Sequence, residues 1–479
     1  MFLNVILWYF TRLVDNKRNY LVLGRLAHMV NKKSIHGEWS SRFAYILAAT
    51  GSAVGLGNIW KFPYITGENG GGAFVIVYLA CVLAIGIPIM IAETMMGRRG
   101  RQSPINTLAT LSTEAGADKK WHYLGWMGVI AGVLILSYYS VIAGWANAYV
   151  FKAIFGGFSA DAVEVKAVFD DFIASPMQLV FWHTLFMVTT MSVVMRGVKG
   201  GLEKAVQLLM PSLLALLVLL VGYAMTTGEA YFQGISFLFS PDFSEIDGDA
   251  VLTAMGHAFF TLGLGMGAIM VYGSYLPSHV SIVKTSLYIA GADTVVALLA
   301  GIAIFPLVFA NGLEPGSGPG LIFQTLPIAF GNMTGGWLFG ILFFVLLVFA
   351  ALTSSISLIE PVVAWLVENK GYSRVRASVV SGVATWALGV SVALSFNVWS
   401  DFTIFDKTIF NFLDYLTANL MLPIGGFGIA VFAAWVMHDK HVRDELDIPE
   451  QQYFIWKYLI SYVAPAAVFL VFLHVVGIL

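Results

Sequence analysis

Eleven apolar stretches, each long enough to cross a bilayer, constrain this chain more than any other feature. A transmembrane helix needs about 20 mostly apolar residues, and this window selects residues 42–66, 73–97, 123–154, 176–195, 202–227, 251–276, 284–311, 334–366, 375–396, 405–437 and 454–477. These stretches are too long and too continuously apolar to be the strands of a membrane barrel. The sequence therefore predicts an all-α membrane protein with eleven transmembrane helices.

Composition agrees with a chain that is embedded in lipid. Of the 479 residues, 58% are hydrophobic and 11% are charged, and the formal net charge is −2. This balance favours the lipid bilayer as a partner and gives no indication of a nucleic-acid-binding surface. The single cysteine, Cys81, excludes an intramolecular disulfide framework.

Basic residues predict how the chain crosses the membrane. They concentrate in the connections after the second, fourth, eighth and tenth stretches, whereas the opposite connections are rich in Asp and Glu. By the positive-inside rule, the basic connections are cytoplasmic. We therefore predict a multi-pass protein of the inner (cytoplasmic) membrane, with a cytoplasmic N-terminus and an external C-terminus.

Residues 1–38 precede the first stretch. Their apolar start, residues 1–13, is too short to span a membrane and lacks the basic start and cleavage site of a signal peptide. Two interpretations stay open. The segment is a cytoplasmic tail on the membrane surface, or it is an upstream extension from start-codon choice, with Met29 as the true start.

The first apolar stretch contains a break. Residues 51–57 (GSAVGLG) hold three glycines among small residues, and Asn58 follows. Closely spaced glycines weaken a helix. Carbonyl and amide groups that are freed at bilayer depth must then be satisfied by protein, water or a bound species. We interpret this segment as an ion and solute site built from backbone groups.

The sixth stretch carries a second break, in residues 259–267 (FFTLGLGMG), five spans later. Because five is odd, the second copy crosses the membrane in the opposite direction. Paired glycine-interrupted spans are typical of inverted-repeat transporters, although small residues also form helix-packing faces, which is the alternative for either break alone. The pattern predicts a first repeat in residues 39–228, a second in 229–438, and a cytoplasmic loop with the eleventh helix in 439–479.

Polar residues in two further stretches indicate a cation site. Asp293 lies in the seventh stretch with no basic residue in the same run, and a carboxylate near the bilayer centre costs about 2.5 to 3.5 kcal/mol. A bound cation would balance it; the alternative is a protonated Asp293 bonded to a neighbouring helix. Residues 350–355 (AALTSS) offer oxygen ligands that suit Na⁺, although such hydroxyls also bond to carbonyls one turn earlier. Glu93 is expected to support the broken helices by accepting from their unpaired N–H groups.

Several of these motifs resemble one known family. Residues 51–63 (GSAVGLGNIWKFP), followed by 68–74 (ENGGGAF), are similar to the first-helix signature of the neurotransmitter:sodium symporters, bacterial branch, which have the LeuT-type fold. The resemblance runs from about Trp39 to the C-terminus and includes Tyr138, Tyr139 and the 259–267 segment. It implies a 5+5 inverted repeat with broken first and sixth helices, plus one extra C-terminal helix.

The resemblance also implies binding sites. One Na⁺ site would use the substrate carboxylate with Ala53, Asn58, Thr261 and Asp293. A second Na⁺ site would use Gly51, Val54, Ala350, Thr353 and Ser354. The substrate site would consist of Ala53, Gly55, Leu56, Gly57, Ile135, Tyr139, Phe260, Thr261, Gly263, Met266, Ser354 and Leu358.

The outer gate and anion dependence follow from the same resemblance. Lys61 stands where the family usually has an outer-gate Arg with an acidic partner in the tenth span. The corresponding position here falls nearest Thr417, within residues 413–417 (LDYLT), and the sequence leaves the partner of Lys61 open. Independently of the resemblance, an inner gate is expected where residues cluster near the cytoplasmic helix ends, although surface ion pairs are common there; the residues are Trp39, Arg42, Tyr275, Glu360 and Glu368. An acidic side chain at the first Na⁺ site makes an external anion unnecessary, so the resemblance implies that no chloride is required.

The resulting hypothesis is Na⁺-coupled import of an amino acid by alternating access. Gly263 and the flexible Met266 leave adaptable room in the pocket, which favours a hydrophobic or aromatic L-amino acid. A substrate-gated channel or a membrane sensor that uses the same site is the alternative. The spans contain no metal-ligand cluster and no nucleophile–base pair, so the sequence gives no indication of an enzyme. The expected assembly is a monomer or a homodimer.

Overall fold

The computed structural model describes residues 35–156, 158–315 and 320–475. Most of the predicted N-terminal tail, including Met29, lies outside the described residues. The described chain is almost entirely helical. A small hairpin joins strands β1 (Thr403–Ile404) and β2 (Lys407–Thr408), which pair antiparallel.

The helices follow one another in an order that matches the apolar stretches. In the first half they are α1 (Arg42–Ala53), α2 (Phe62–Glu68), α3 (Gly72–Cys81), α4 (Ile87–Gly100), α5 (Pro104–Glu114), α6 (His122–Phe155), α7 (Ala162–Ala174), α8 (Pro176–Val194), α9 (Lys204–Ala224) and α10 (Glu229–Phe239). In the second half they are α11 (Gly248–Thr261), α12 (Ala268–Ser274), α13 (Ile282–Ala310), α14 (Leu326–Asn332), α15 (Gly336–Lys370), α16 (Arg374–Leu394), α17 (Ile409–Asp414), α18 (Leu422–Val431), α19 (Asp439–Leu446), α20 (Glu450–Tyr458) and α21 (Ala464–Val475).

Tighter and wider helical turns link several of these helices. The π-helical turns are Gly57–Lys61, Val82–Gly86, Val198–Glu203, Leu321–Thr325, Tyr415–Met421, Phe432–Val436 and Leu459–Val463. The 3₁₀ turns are Lys119–Trp121, Met225–Thr227 and Phe243–Glu245. Because a π-helical turn holds an extra residue, it changes which side chains share a helix face.

Nine helical runs in the described ranges are long and apolar enough to cross a membrane, and the bent pair of α1 with Gly57–Glu68 makes ten. These ten correspond to every predicted stretch except the sixth. The sixth stretch is divided between α11, with 14 residues, and α12, with 7 residues. The prediction of an all-α membrane protein with broken first and sixth helices is confirmed.

The first break begins where α1 ends. The backbone turns extended at Val54, with ψ of 109°, and the helix resumes at Gly57 after a bend of 48°. A Cβ at Gly55 would lie 2.4 Å from Ser354 Oγ and 2.8 Å from Tyr139 Oη. Only glycine fits this close approach between the break and the neighbouring helices.

The second break depends on left-handed backbone. Gly263, Gly265 and Gly267 have φ angles of 67°, 78° and 77°, a region that residues with a Cβ rarely adopt. A Cβ at Gly265 would also lie 2.6 Å from the Leu422 carbonyl oxygen. For these reasons α11 ends at Thr261 and α12 starts only at Ala268.

Both breaks lie in the interior of the helix bundle. The long helices α6 and α15 pack along each other, and α1 packs against α9, α13 and α15. Val54, Leu56, Leu262 and Leu264 are all buried. The two interrupted helices therefore present free backbone groups to protein and not to lipid.

Candidate substrate and cation site

A cavity lies between the two breaks and the helices α6 and α15. Its lining consists of Ser52, Ala53, Gly55, Gly57, Ile135, Tyr139, Phe260, Thr261, Gly263, Met266, Ser354, Ser357 and Leu358. All of the predicted substrate residues are in this set except Leu56. The Leu56 N–H donates to the Tyr139 hydroxyl at 3.2 Å, so Leu56 takes part in the site through its backbone.

Two lining residues were absent from the sequence-based prediction. Ser357 lies one helical turn after Ser354 on α15, and its hydroxyl donates to the Ser354 carbonyl at 2.8 Å. Ser52 immediately precedes Ala53, and its buried hydroxyl has no hydrogen-bond partner among the described residues. The i, i+3 spacing from Ser354 was a usable signal for Ser357. No sequence signal singled out Ser52.

The cavity has one polar end and one apolar end. Backbone groups of the first break and the Tyr139 hydroxyl form the polar end. Ile135, Phe260, Met266 and Leu358 contribute apolar surface. No Asp, Glu, Lys or Arg side chain is in the lining. Such a pocket suits a zwitterionic head group with an apolar side chain.

Asp293 lies at the centre of a polar group that we call the Asp293 cluster, which consists of Asn58, Thr261 and Asp293. The Asn58 amide donates to Asp293 Oδ1 at 2.7 Å and to the Asp293 carbonyl at 3.1 Å. The Thr261 hydroxyl lies 3.2 Å from both carboxylate oxygens. Asn58 Oδ1 accepts from the Gly55 N–H at 2.9 Å, which ties the cluster to the first break.

The Asp293 cluster fits a small hard cation. All three side chains are buried, Asp293 completely, and none of the salt bridges between described residues involves Asp293. An isolated buried carboxylate is costly, and the oxygen atoms around it are ligands that Na⁺ accepts. The cluster also borders the cavity, because Thr261 belongs to both.

A second oxygen-rich group, the Ser354 cluster, lies where α1 ends against α15 and consists of Gly51, Val54, Ala350, Thr353 and Ser354. Ser354 Oγ lies 3.2 Å from the Val54 carbonyl and 3.4 Å from that of Gly51. These carbonyls have no N–H partner within the helix, because they belong to its last turn. Thr353 Oγ1 lies 3.0 Å from the Ala350 carbonyl and 3.3 Å from that of Phe349, so the backbone contact expected as the alternative role is present.

Glu93 supports the second break. Its Oε1 accepts from the Gly265 N–H at 2.6 Å, and its side chain is fully buried. This contact satisfies a backbone donor that the broken helix leaves unpaired, as expected from the sequence.

Lys61 lies beside Phe260, one of the residues that line the cavity. Lys61 Nζ lies 3.9 Å from Asp414 Oδ1 and 5.0 Å from the centre of the Phe260 ring. Asp414, which lies about one turn before Thr417 in the segment 413–417, is therefore the acidic group that the structure places next to Lys61. Thr417 contacts the Tyr138 hydroxyl instead, at 3.3 Å. The π-helical turn that starts at Tyr415 shifts the register between the two positions.

The Trp39 side is closed by a buried aromatic group. The Trp39 indole N–H donates to the Tyr272 carbonyl at 3.2 Å, and the Trp39 ring lies 6.1 Å from that of Tyr275. The Tyr275 hydroxyl donates to Glu360 at 2.8 Å, and Arg374 makes a two-pronged contact with the same carboxylate. Trp39 and Tyr275 thus come together as predicted.

Glu368 lies in a neighbouring set of contacts on this side. It is 3.0 Å from the His36 ring nitrogen Nε2, and it accepts from the Ser103 N–H at 2.8 Å and from Asn106 at 2.8 Å. Glu368 therefore joins three chain segments, and its link to Tyr275 passes through His36, whose ring lies 5.8 Å from the Tyr275 ring.

Two broken helices around a buried cavity, with oxygen clusters at the breaks, define a secondary transporter of the inverted-repeat class. A model of the sodium:neurotransmitter symporter family matches residues 36–159 and 158–478. This chain belongs to that family of sodium symporters.

Relatives support this assignment across the whole length. An uncharacterized sodium-dependent transporter of Bacillus subtilis, YhdH, is 36% identical over 447 residues, which cover 92% of this chain and 98% of YhdH. The human sodium- and chloride-dependent GABA transporter 2 is 25% identical, over 86% of this chain and 75% of its own. The crystal structure of MhsT in complex with L-phenylalanine is similar with a TM-score of 0.86 and 43% identity, over 92% of this chain and 99% of MhsT.

Proposed function

We propose that this protein imports a hydrophobic or aromatic L-amino acid together with Na⁺, through two Na⁺ sites and without a need for chloride. The observation that carries the proposal is the cavity itself, which joins an apolar lining to the broken-helix backbone and to the Asp293 cluster. MhsT, which is 43% identical, was crystallised with L-phenylalanine, and this supports an aromatic substrate here.

The substrate carboxylate would bind at the polar end of the cavity. The Leu56 and Gly57 amides lie at the start of a helix, where the helix dipole favours negative charge. The Tyr139 hydroxyl already contacts the Leu56 amide and would turn to the carboxylate. The amino group would face the carbonyls of Ala53, Phe260 and Gly263.

Binding of the ion and of the substrate would be coupled because the Asp293 cluster borders the substrate cavity. Na⁺ in the Asp293 cluster would be held by Asp293, Asn58, Thr261 and the Ala53 carbonyl, with the substrate carboxylate as a further ligand. Substrate binding would then strengthen Na⁺ binding, and the reverse, by the same factor. The Ser354 cluster would hold the second Na⁺ with neutral oxygens at the end of α1.

Chloride independence would follow from the fixed charge of Asp293. Ala297, one turn later on α13, is buried and has no hydroxyl to bind an anion. The human relative is named a chloride-dependent transporter, and this chain would differ from it by carrying its own negative charge. The same proposal places the N-terminus in the cytoplasm and assigns residues 39–228 and 229–438 to the two inverted repeats.

Uptake into proteoliposomes tests the proposal. With an inward Na⁺ gradient, we expect labelled L-phenylalanine to accumulate, and unlabelled leucine, tryptophan and methionine to compete while glutamate and lysine do not. Replacing chloride by gluconate should leave the rate unchanged. Accumulation that ignores the Na⁺ gradient contradicts symport. Flux that follows only the substrate gradient supports a channel, and binding without flux supports a sensor.

A further inference from the structure

Arg42 is a basic side chain that the transport site does not use. It lies in the first turn of α1, and no acidic residue shares that turn. Its Nε and Nη2 atoms are buried without a hydrogen-bond partner among the described residues. Its guanidinium carbon lies 5.4 Å from the centre of the Tyr288 ring, a contact that orients the group but supplies no anion.

Two acidic residues that lie close to the start of α1, Glu38 and Glu203, have other partners. Glu38 lies 3.6 Å from Arg101. Glu203 accepts from the backbone and hydroxyl of Ser40 and from Gln207. Arg42 also lies at the positive end of a helix dipole, which disfavours a cation there. An external anion would therefore stabilise this position.

Two more basic residues mark the same surface. The helices α1, α9 and α13 pack against one another, and they belong to the first, fifth and seventh spans. Odd spans cross the membrane in the same direction, so all three helices begin on the same side. Lys204 and Lys284 lie in the first turns of α9 and α13 and are exposed. We call Arg42, Lys204 and Lys284 the basic triad.

The depth of Arg42 corresponds to the lipid head groups. With a rise of 1.5 Å per residue, the 12 residues of α1 extend about 18 Å from the break, and half of the hydrocarbon core is about 15 Å. Next to Arg42 and towards the bilayer, Phe43, Leu287 and Tyr288 are 67%, 48% and 58% exposed. An acyl chain can lie along these side chains.

We propose that the basic triad binds the phosphate of an anionic phospholipid, with Arg42 as the main contact and the acyl chains along Phe43, Leu287 and Tyr288. Guanidinium groups bind phosphate through N–H donors. Arg42 is partly exposed, and its Nη1 atom is not among the buried atoms without a partner, so Nη1 is the group that would meet the phosphate. Because Arg42 follows Trp39 by three residues, the lipid would hold the start of the first broken helix at the bilayer surface.

Binding of phosphatidylglycerol to the purified full-length protein tests this proposal. Phosphatidylglycerol and phosphatidylcholine with the same acyl chains are titrated in detergent, and bound lipid is counted by native mass spectrometry. We expect phosphatidylglycerol to bind more tightly and Arg42→Gln to weaken it about fivefold, the usual effect of one basic residue at a membrane surface. Arg376→Gln is the matched control. Arg376 also starts an odd span and also lies over a ring, that of Tyr372 at 4.2 Å, but it is exposed.

Each result decides for or against the site. Loss of the lipid preference in Arg42→Gln, with the preference intact in Arg376→Gln, supports it. An unchanged preference in Arg42→Gln, or none in the wild type, overturns it. Inorganic phosphate that competes fully at the same concentration as the lipid shows a free-anion site and overturns the lipid assignment. If Arg42→Gln does not fold, Lys284→Gln replaces it, with about fivefold weakening expected and an unchanged preference as the contrary result.

Discussion

The Asp293 cluster and the Ser354 cluster lie on opposite sides of the first break and differ in charge. The Asp293 cluster contains a fully buried carboxylate, which contacts Asn58 at 2.7 Å and Thr261 at 3.2 Å. The Ser354 cluster contains only carbonyl and hydroxyl oxygens, with Ser354 Oγ at 3.2 Å from the Val54 carbonyl. Both are anchored to residues 51–58, and each contributes a side chain to the cavity lining, Thr261 from the second break and Ser354 from α15.

This difference indicates a division of roles. A charged site next to the cavity is expected to link the cation to the substrate, because the cation and the substrate carboxylate would share ligands and attract each other electrostatically. A neutral site between α1 and α15 is expected to link a cation to the position of the first half helix. Substitutions in the two clusters should therefore change different measured quantities.

Asp293→Asn should have the largest effect. The substitution removes the only charge of the cluster while keeping its shape, and contacts to a charged group are worth about 1.5 to 3 kcal/mol. We expect the Na⁺ concentration for half-maximal uptake to rise about 100-fold, with partial recovery when chloride is present. Uptake into proteoliposomes at varied Na⁺, in chloride and in gluconate, measures both effects.

The exposed acid Asp401 provides the control for this substitution. Asp401→Asn changes the net charge by the same amount and should leave Na⁺ dependence unaltered. An Asp293→Asn protein with wild-type Na⁺ dependence in both buffers would show that the carboxylate is a protonated structural group, the alternative raised by its burial.

Tyr139→Phe should weaken substrate binding by about tenfold, the upper range for loss of one neutral hydrogen bond. The hydroxyl contacts the Leu56 amide at the polar end of the cavity, so its loss should affect the carboxylate. Competition binding of labelled substrate at saturating Na⁺ measures the change. Tyr138→Phe is the control, because that hydroxyl contacts Thr417 instead. Equal losses in both variants would contradict a specific role for Tyr139.

Ser354→Ala should weaken Na⁺ dependence by about fivefold, since it removes one neutral hydroxyl contact. The hydroxyl lies within 3.4 Å of the Gly51 and Val54 carbonyls. The neighbouring Ser355 contacts Thr190 at 2.9 Å on another face of α15, so Ser355→Ala controls for the loss of a serine. Unlike Asp293→Asn, Ser354→Ala should show no response to chloride. Such a response would remove the distinction between the clusters.

The fold could be predicted largely from the sequence because its main constraint is a length. Stretches of about 20 apolar residues are needed to span a bilayer, and glycine clusters identify where two of them break. The bounds of α6 and α13 differ by only one or two residues from the predicted 123–154 and 284–311. The π-helical turns could not be predicted, since they leave no composition signature. The turn at Tyr415 begins between Asp414, which contacts Lys61, and Thr417, and the sequence alone left the choice of partner open.

The candidate site was predictable where residues share a motif. Gly55, Phe260 and Ser354 lie in segments that the family resemblance covers, and all three line the cavity. The contact of Glu360 with Arg374 was not predicted, because it joins two helices whose relative placement depends on the connection at residues 371–373. Ser52 was missed because the break after α1 decides which side of that helix end faces the cavity, and the sequence does not show this.

Substitutions at the Lys61 side should have the smallest effect, and they test whether the charge of Asp293 acts alone. The Lys61 and Asp414 side chains are 18% and 38% exposed, and their charged atoms are 3.9 Å apart. Pairs of this kind are worth about 1 kcal/mol or less. We expect Lys61→Gln and Asp414→Asn to change Na⁺ dependence and substrate affinity by no more than about fivefold, and the double variant to match the single ones. A Lys61→Gln protein whose Na⁺ affinity rises about tenfold would instead show that the Lys61 charge opposes the cation in the Asp293 cluster, because removal of a positive charge strengthens cation binding. In that case the difference between the clusters would depend on Lys61 as well as on Asp293.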